Sequence, residues 1–133
     1  MSDSSSGFPT VRPRRLRYNP LLRELVRETP LAASDLILPL FVKPGRGLRQ
    51  EIASMPGNFQ LSVDTLVEEV GAARELGLKA FILFGIPATK DARGSSALED
   101  LGIVQESLRA LRNAFGSSVL LITDECFCEY TDH

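Results

Sequence analysis

Two cysteines and an aspartate stand close together near the C-terminal end of the sequence. Asp124, Cys126 and Cys128 occupy alternate positions directly after a short apolar run. If the chain stays extended there, their side chains project to one side, because side chains alternate along a strand. Zinc favours thiolate ligands, and a zinc site that keeps an open position can be catalytic. The spacing therefore indicates part of a zinc site.

Each of these residues also has an ordinary structural explanation. Cys-x-Cys alone is a weak signal, because free cysteines most often behave as small buried apolar side chains. An aspartate at the end of a strand commonly caps the turn that follows. His133 could supply a third ligand by spacing alone, but a single terminal histidine is more often solvated. The residues by themselves leave a metal site and a structural loop both open.

Three short apolar runs predict the strands that would position this segment. None of them alternates polar and apolar residues, which is typical of strands in a parallel sheet covered on both faces. Pro39 interrupts the first run and predicts an irregular strand, since proline has no N–H to donate. The predicted strands lie near residues 36–42, 79–86 and 118–124.

Two helical patterns separate the predicted strands and lie near residues 63–76 and 98–115. Ser62 suits an N-cap, and Gly77 and Gly116 suit the C-terminal ends. The apolar residues at helical spacing are Val63, Leu66, Val67 and Val70, then Leu101, Val104, Leu108, Leu111 and Phe115. The resulting β-α-β-α-β order predicts an α/β fold with a parallel sheet, because crossovers between parallel strands are right-handed.

Two architectures begin with this order, the doubly wound open sheet and the closed eight-stranded barrel. A dinucleotide-binding open sheet would carry a phosphate-binding glycine motif directly between the first strand and a helix. Gly45 and Gly47 have the right separation, but Pro44 and the long connection to Ser62 break that context. A flexible loop is the favoured interpretation of this segment.

The N-terminal region differs in composition from the rest of the chain. Residues 1–20 are rich in Ser, Pro and Arg and predict an extended or disordered arm. Residues 20–29 predict a short amphipathic helix, with Pro20 at its first position and Pro30 ending the pattern. Six arginines lie between Arg12 and Arg27. Without stacking aromatic residues or a second basic surface, they do not favour nucleic-acid binding.

Composition and charge restrict the class of protein. The net charge is −2, with 44% hydrophobic and 24% charged residues, as in ordinary globular proteins. The first residues lack the order of a secretory signal, and apolar runs of about five residues fall far short of a membrane span. Two cysteines are too few for a disulfide-stapled secreted domain. We expect a cytoplasmic protein without a membrane partner.

The segment Asp124–His133 resembles the metal-site segment of the zinc-type porphobilinogen synthase (5-aminolevulinate dehydratase) family. In that family an aspartate precedes Cys-x-Cys, and Tyr-Thr-x-His leads into a glycine-rich loop with a third cysteine. Glu125 and Phe127 differ from the family's usual apolar residue and leucine. Further similar segments, in family order across residues 12–133, are Arg12–Arg17, Leu25–Thr29, Asp35–Val42, Ser54–Gly57, Leu83–Pro87 and Lys90–Ser95.

The resemblance implies the N-terminal portion of a parallel (β/α)8 barrel, with its first three strands. Residues 1–34 would form an arm with a short helix, and residues 35–133 a partial barrel truncated after the third strand. The implied enzyme is a hydro-lyase that condenses two 5-aminolevulinate molecules into porphobilinogen in heme biosynthesis. The family's two Schiff-base lysines lie on later strands, so this chain alone is expected to be inactive. A non-catalytic oligomerisation or metal-binding fragment is the alternative.

The resemblance also implies roles for individual residues. Cys126 and Cys128 would be zinc ligands, and Asp124 a catalytic carboxylate near the metal. The lysines of the chain, Lys43, Lys79 and Lys90, do not match the Schiff-base positions. The arginine-rich arm would contact a neighbouring subunit of a homo-oligomer, typically an octamer. A regulatory magnesium ion is left open by the sequence.

Overall fold

The computed structural model describes residue 12 and residues 14–133. The chain divides into two compact units, one ending at Leu31 and one spanning Ala32–His133. The prediction of an extended or disordered arm falls mostly on residues 1–11 and 13, outside the described residues. The proposed boundary between arm and barrel after residue 34 stays a prediction.

The described residues of the first unit contain one α-helix, α1, at Pro20–Leu25. The side chain of Asn19 caps it, accepting the N–H groups of Leu21 at 2.8 Å and Leu22 at 3.4 Å. Pro20 occupies the first turn, where its missing N–H costs nothing. The helix begins where the sequence predicts but ends before residue 29.

The second unit is a five-stranded sheet packed against two helices. The strands are β1 (Ile37–Val42), β2 (Arg49–Glu51), β3 (Phe59–Leu61), β4 (Ala80–Gly85) and β5 (Leu120–Thr123), and the helices are α2 (Val63–Glu75) and α3 (Ile103–Phe115). The sheet order is β2-β3-β1-β4-β5. β1 pairs with β4, and β4 with β5, both in parallel. The predicted parallel arrangement of the three main strands is confirmed.

Pro39 does not disturb β1, which pairs with β4 without interruption from Ile37 to Val42. Val42 accepts a hydrogen bond from Ile86 on the β4 side, and Lys43 donates to Leu61 on the β3 side. Because these directions alternate along a strand, the nitrogen of Pro39 faces the β3 side. There β3 pairs only with Phe41 and Val42, so the proline removes no hydrogen bond from the sheet. The predicted irregularity is wrong for this reason.

Two further predictions need correction. The long connection from Gly47 to Ser62, expected as a loop, contains β2 and β3, which pair antiparallel, whereas Gly45 and Gly47 themselves precede β2 and lie in neither strand nor helix. The second long helix begins at Ile103 and not near residue 98, because Ser95–Leu98 form a separate 3-10 turn. Leu101 therefore lies outside the helix and is exposed. Among the described residues, no helix has the length and apolar character that a bilayer span requires.

Only one face of the sheet is covered by helices. Leu40, Val42, Phe81 and Leu83 are buried on that face with Leu66, Val70 and Leu111 of α2 and α3. The alternate residues on the opposite face are apolar but only partly covered, including Ile37 and Leu120. Phe41 and Phe84 stack there with ring centroids 5.3 Å apart. We name this surface, formed by Ile37, Phe41, Ile82, Phe84, Leu120 and Ile122, the open face.

Candidate metal centre

The carboxyl ends of β1, β4 and β5 meet at one edge of the sheet, as parallel strands require. Lys43, Ile86 and Asp124 follow these three strands directly. The N–H of Asp124 donates to Leu83 O at 3.4 Å, so the segment after β5 starts beside the end of β4. In α/β barrels this edge carries the functional residues.

Asp124 turns the chain away from the strand. β5 ends at Thr123, and the Asp124 carboxylate accepts the backbone N–H of Cys126 at 3.3 Å. The assumption that the chain stays extended through residue 128 is therefore wrong. The aspartate takes the turn-capping position that its residue type also allowed, and the grouping of the cysteines has another origin.

A turn brings the two cysteine side chains together. Their sulfur atoms are joined as a disulfide, with the Cα atoms 5.6 Å apart, whereas the sequence predicted free thiols. Both residues are exposed. A metal ion binds thiolates, so the disulfide and a metal-bound form exclude each other and metal binding requires the reduced pair. The two sulfurs do lie together, but without the Asp124 carboxylate that the sequence expected beside them.

Glu129 lies beside the two cysteines, and sequence reasoning did not include it among the candidate site residues. One carboxylate oxygen of Glu129 and both sulfurs lie within 4.8 Å of one another. The Cys128 sulfur is 3.5 Å from Glu129 Oε2. Asp124 does not belong to this group, and His133 is highly exposed with its ring nitrogen 3.8 Å from Asp132. An acidic residue next to Cys-x-Cys was the available signal.

Tyr130 connects this loop to the body of the protein. It is 8% exposed, although most residues around it are exposed. Its carbonyl oxygen accepts the N–H of Asp91 at 3.3 Å. Burial, with smaller contributions from the carboxylates of Glu129 and Asp124, raises the pKa of the Tyr130 phenol. The side chain is therefore a neutral phenol at physiological pH.

The loop after β4 forms the surface on which Tyr130 rests. Asp91 Oδ1 accepts the N–H groups of Arg93 at 2.9 Å and Ser95 at 3.0 Å, which closes a tight turn. Hydrogen bonds from Ser95 and then Arg93 lower the pKa of the Asp91 carboxyl. Gly94 completes the turn with a φ of +63°, which favours glycine. This turn therefore has a conformation fixed by its own residues.

The segment that contains Gly45 and Gly47 is held by hydrogen bonds to other residues of the same unit. The N–H of Gly47 donates to Asp64 Oδ2 at 2.7 Å. Ser62 occupies the N-cap position of α2, but its hydroxyl accepts the N–H of Leu48 at 2.8 Å and does not cap the helix. Lys43 donates to Gln50 at 2.9 Å and Gln60 at 3.1 Å. The carboxylate of Asp64 therefore occupies the Gly47 amide that a phosphate would need.

A cavity of about 480 Å³ lies between the N-terminal half of α3 and the loop after β5. Its walls include Val104, Gln105 and Leu108 of the helix and Asp124 and Cys126 of the loop. The cavity is large enough for a small organic molecule. It places Asp124 and one cysteine on a shared concave surface.

Comparison with known proteins assigns the chain to a family. The family model described as delta-aminolevulinic acid dehydratase matches residues 10–133. The chain belongs to the delta-aminolevulinic acid dehydratase family. A dehydratase from Synechocystis sp. is 50% identical over 126 residues, and one from Methanothermus sociabilis is 48% identical over 126 residues. The alignments cover 95% of this chain but only 38% and 39% of those proteins.

A solved structure supports the same family and its fold. The delta-aminolevulinic acid dehydratase (porphobilinogen synthase) from Toxoplasma gondii ME49, in complex with the reaction product porphobilinogen, superposes with a TM-score of 0.82. The sequences are 38% identical, and the match covers 92% of this chain and 35% of that one. The sheet described above is therefore part of the parallel barrel of the dehydratase family.

Proposed function

We propose that this chain supplies the zinc-binding part of a porphobilinogen synthase, a hydro-lyase acting on 5-aminolevulinate. The observation that carries the proposal is the grouping of two cysteine sulfurs and a carboxylate at the carboxyl edge of the dehydratase-family sheet. The product complex of the Toxoplasma relative supports the substrate class. Because the chain spans about 38% of the length of the curated relatives it matches, the activity of a whole enzyme is part of the proposal.

The donor set fits zinc. Cys126 and Cys128 offer two thiolates when reduced, and Glu129 offers a carboxylate within 4.8 Å. Zinc takes sulfur, nitrogen and oxygen ligands in a tetrahedral arrangement. The two thiolates would fill two positions, and a third would come from Glu129 or from the further cysteine that the family resemblance implies. A bound zinc ion would supply Lewis acidity beside the cavity. Magnesium, which prefers oxygen ligands, fits this group poorly, and a regulatory role for it would need another site.

Asp124 is proposed as the carboxylate that faces substrate. It lines the cavity, and its second function in the structure is to hold the N–H of Cys126. An ionised carboxylate at this position can orient or accept a proton from an amine that enters the cavity. Two of the three lysines are unsuited to join it, since Lys43 is bonded to two glutamines and Lys79 precedes β4 at the opposite edge. Lys90 does not match the Schiff-base positions that the family resemblance implies. Schiff-base chemistry would need lysines from the other barrel strands.

The central test is a porphobilinogen assay on a chimera. In it, this chain replaces the matching residues of the Synechocystis dehydratase, with which it shares 50% identity. We expect turnover by the chimera, none by the 133-residue chain, and loss of zinc-dependent turnover after Cys126→Ala with Cys128→Ala. Circular dichroism should show that the double variant stays folded, because both residues are exposed. Turnover by the chain alone, or a chimera indifferent to the double replacement, would contradict the proposal.

A second test concerns the arm and the proposed homo-octamer in the cytoplasm. The six arginines between Arg12 and Arg27 support a contact with a neighbouring subunit, since arginine is enriched in protein interfaces. We expect deletion of residues 1–20 from the chimera to lower the particle mass measured by light scattering. An unchanged mass would count against the arm, and a charge-reversed but full-length arm separates its length from its charge.

A further inference from the structure

Tyr130 is a buried residue inside an exposed loop. Its side chain is 8% exposed, whereas Cys126 and Cys128 are exposed. The carbonyl oxygen of Phe127 accepts the N–H groups of Tyr130 at 2.9 Å and Thr131 at 3.0 Å. This turn fixes the buried ring to the residue that separates the two cysteines. The thiols have little packing of their own, so their position depends on what the rest of the turn contacts.

Two glycines leave the space that the Tyr130 side chain occupies. A Cβ atom on Gly85, the last residue of β4, would collide with the Tyr130 hydroxyl oxygen and lie 2.5 Å from Val104 Cγ2. A Cβ atom on Gly94 would lie 3.3 Å from Tyr130 Cβ and 3.2 Å from Phe127 Cδ1. Side chains at either position would push the ring away. The close approach of the loop therefore uses the absence of side chains on both glycines.

A backbone hydrogen bond fixes the tyrosine from a third direction. The N–H of Asp91 donates to Tyr130 O, and Asp91 itself belongs to the turn closed by its own carboxylate. The segment of residues 124–131, here named the cysteine loop, therefore contacts a strand end at Gly85 and a tight turn at Gly94 and Asp91. These contacts restrain the backbone at residues 127–131, a range that includes Cys128 and begins one residue after Cys126.

We propose that Tyr130 is a positioning residue that holds Cys126 and Cys128 in place for metal binding, an inference that rests on the proposed metal site. Metal affinity depends on ligands being held before the ion arrives, and outer residues that orient ligands typically contribute about 10- to 100-fold. The aromatic ring supplies the packing. The phenol oxygen packs against Gly85, but the described residues show no hydrogen bond to it, and its removal leaves the contact of Tyr130 Cβ with Gly94 and the backbone bond in place.

The test compares variants of the full 133-residue chain, reduced and titrated with Co2+. Thiolate-to-cobalt charge-transfer absorption reports binding through sulfur, and a double Cys126→Ser, Cys128→Ser variant defines the signal. We expect Tyr130→Ala to weaken Co2+ binding by about 10-fold or more, and Tyr130→Phe to stay within about twofold of wild type. Val70→Ala is the stability control. It truncates a fully buried residue of α2, so it should lower Tm and leave Co2+ affinity unchanged.

Amide hydrogen exchange provides a readout without metal. Tyr130→Ala should accelerate exchange at Asp91 and Thr131, whose N–H groups donate to the carbonyl oxygens of Tyr130 and Phe127. Tyr130→Phe should not. Faster exchange with unchanged Co2+ affinity would overturn the positioning role, as would unchanged exchange in Tyr130→Ala. If the wild-type chain and the double serine variant show the same charge-transfer absorption, the proposed metal site fails, and the role of Tyr130 fails with it.

Discussion

Individual residues of the cysteine loop show which part of the site a sequence can predict. Residue type and spacing made Cys126 and Cys128 candidates, but the resemblance to the dehydratase family was needed to prefer a metal site over a structural loop. Their geometry was not predictable from alternation, since Asp124 accepts the N–H of Cys126 and ends the extended conformation. The choice between capping and extension is made by hydrogen bonds that residue spacing does not contain. Glu129 enters the group through the same turn.

Asp91 carries a pH-dependent contribution to stability. Its carboxyl pKa is lowered below the ordinary 3.8, first by the N–H and hydroxyl of Ser95 and then by the N–H of Arg93. A lowered folded-state pKa stabilises the fold above the unfolded value, and the contribution disappears as pH falls through the folded value. We expect Asp91→Asn to be less stable than wild type equally at pH 7 and pH 5, with the difference shrinking below about pH 4.

Urea unfolding at a series of pH values measures this effect. The matched control is Asp100→Asn on the same loop, because the described residues show no hydrogen bond to the Asp100 carboxylate. It should change stability little at any of these pH values. An Asp91→Asn difference that persists undiminished at low pH would show that charge is not the cause.

At the level of elements, the hydrophobic pattern predicted the strands that are held by apolar packing and missed the strand that is held by polar contacts. β1, β4 and β5 are continuous apolar runs, so their existence and direction followed from the sequence. β2 consists of Arg49, Gln50 and Glu51, all exposed, and has no apolar signal. Arg49 pairs with Glu69 at 2.6 Å and lies 4.1 Å from the Phe59 ring, contacts that only the folded chain provides. Similarly, Leu101 continued the helical period although the chain turns at Gly102.

Two glycines of the same helical region should respond oppositely to a methyl group. Gly71 lies inside α2, and an added Cβ meets Phe115 at an ordinary 3.8 Å. Gly71→Ala should stabilise the chain by about 0.5–1 kcal/mol, because alanine loses less backbone entropy. Gly77 has a φ of +92°, and its Cβ would lie 3.3 Å from Ala33. Gly77→Ala should destabilise by roughly 1–2 kcal/mol.

Thermal unfolding of both variants tests this pair. Because the substitution is chemically identical and the two positions are six residues apart, each variant is the control for the other. Two changes of the same sign would mean that local backbone conformation does not dominate at these positions.

At the scale of the whole molecule, the sheet has one covered and one partly covered apolar side. The open face includes Ile37 at 54% and Leu120 at 59% exposed. In a closed family barrel the corresponding face is directed inward and packed in layers. The sequence predicted strands covered on both faces. The strands are apolar on both faces, but within the described residues helices cover only one of them. Which residues would cover the second face could not follow from these strands alone.

The open face should make the isolated chain self-associate, because large exposed apolar patches drive association. We expect sedimentation velocity to show concentration-dependent oligomers, and Leu120→Glu to reduce them. The control is Leu76→Glu, which changes an even more exposed leucine at the end of α2, away from the open face. Equal effects of the two replacements would point to general solubility and not to this surface.

The uneven pairing of β1 has a consequence for the order of events during protein synthesis. Ile37 pairs with Ala80 and Ala80 with Leu120, so each pairing joins main strands that follow one another along the chain, with β2, β3 and α2 between the first two and α3 between the others. A nascent chain can therefore complete this sheet while the ribosome is still translating. In a closed barrel the last strand must arrive later, beside the part of β1 that β3 leaves uncovered, Ile37–Leu40. Pro39 offers that late-arriving strand a carbonyl but no N–H, so the last pairing of the barrel would lack one backbone hydrogen bond at this position.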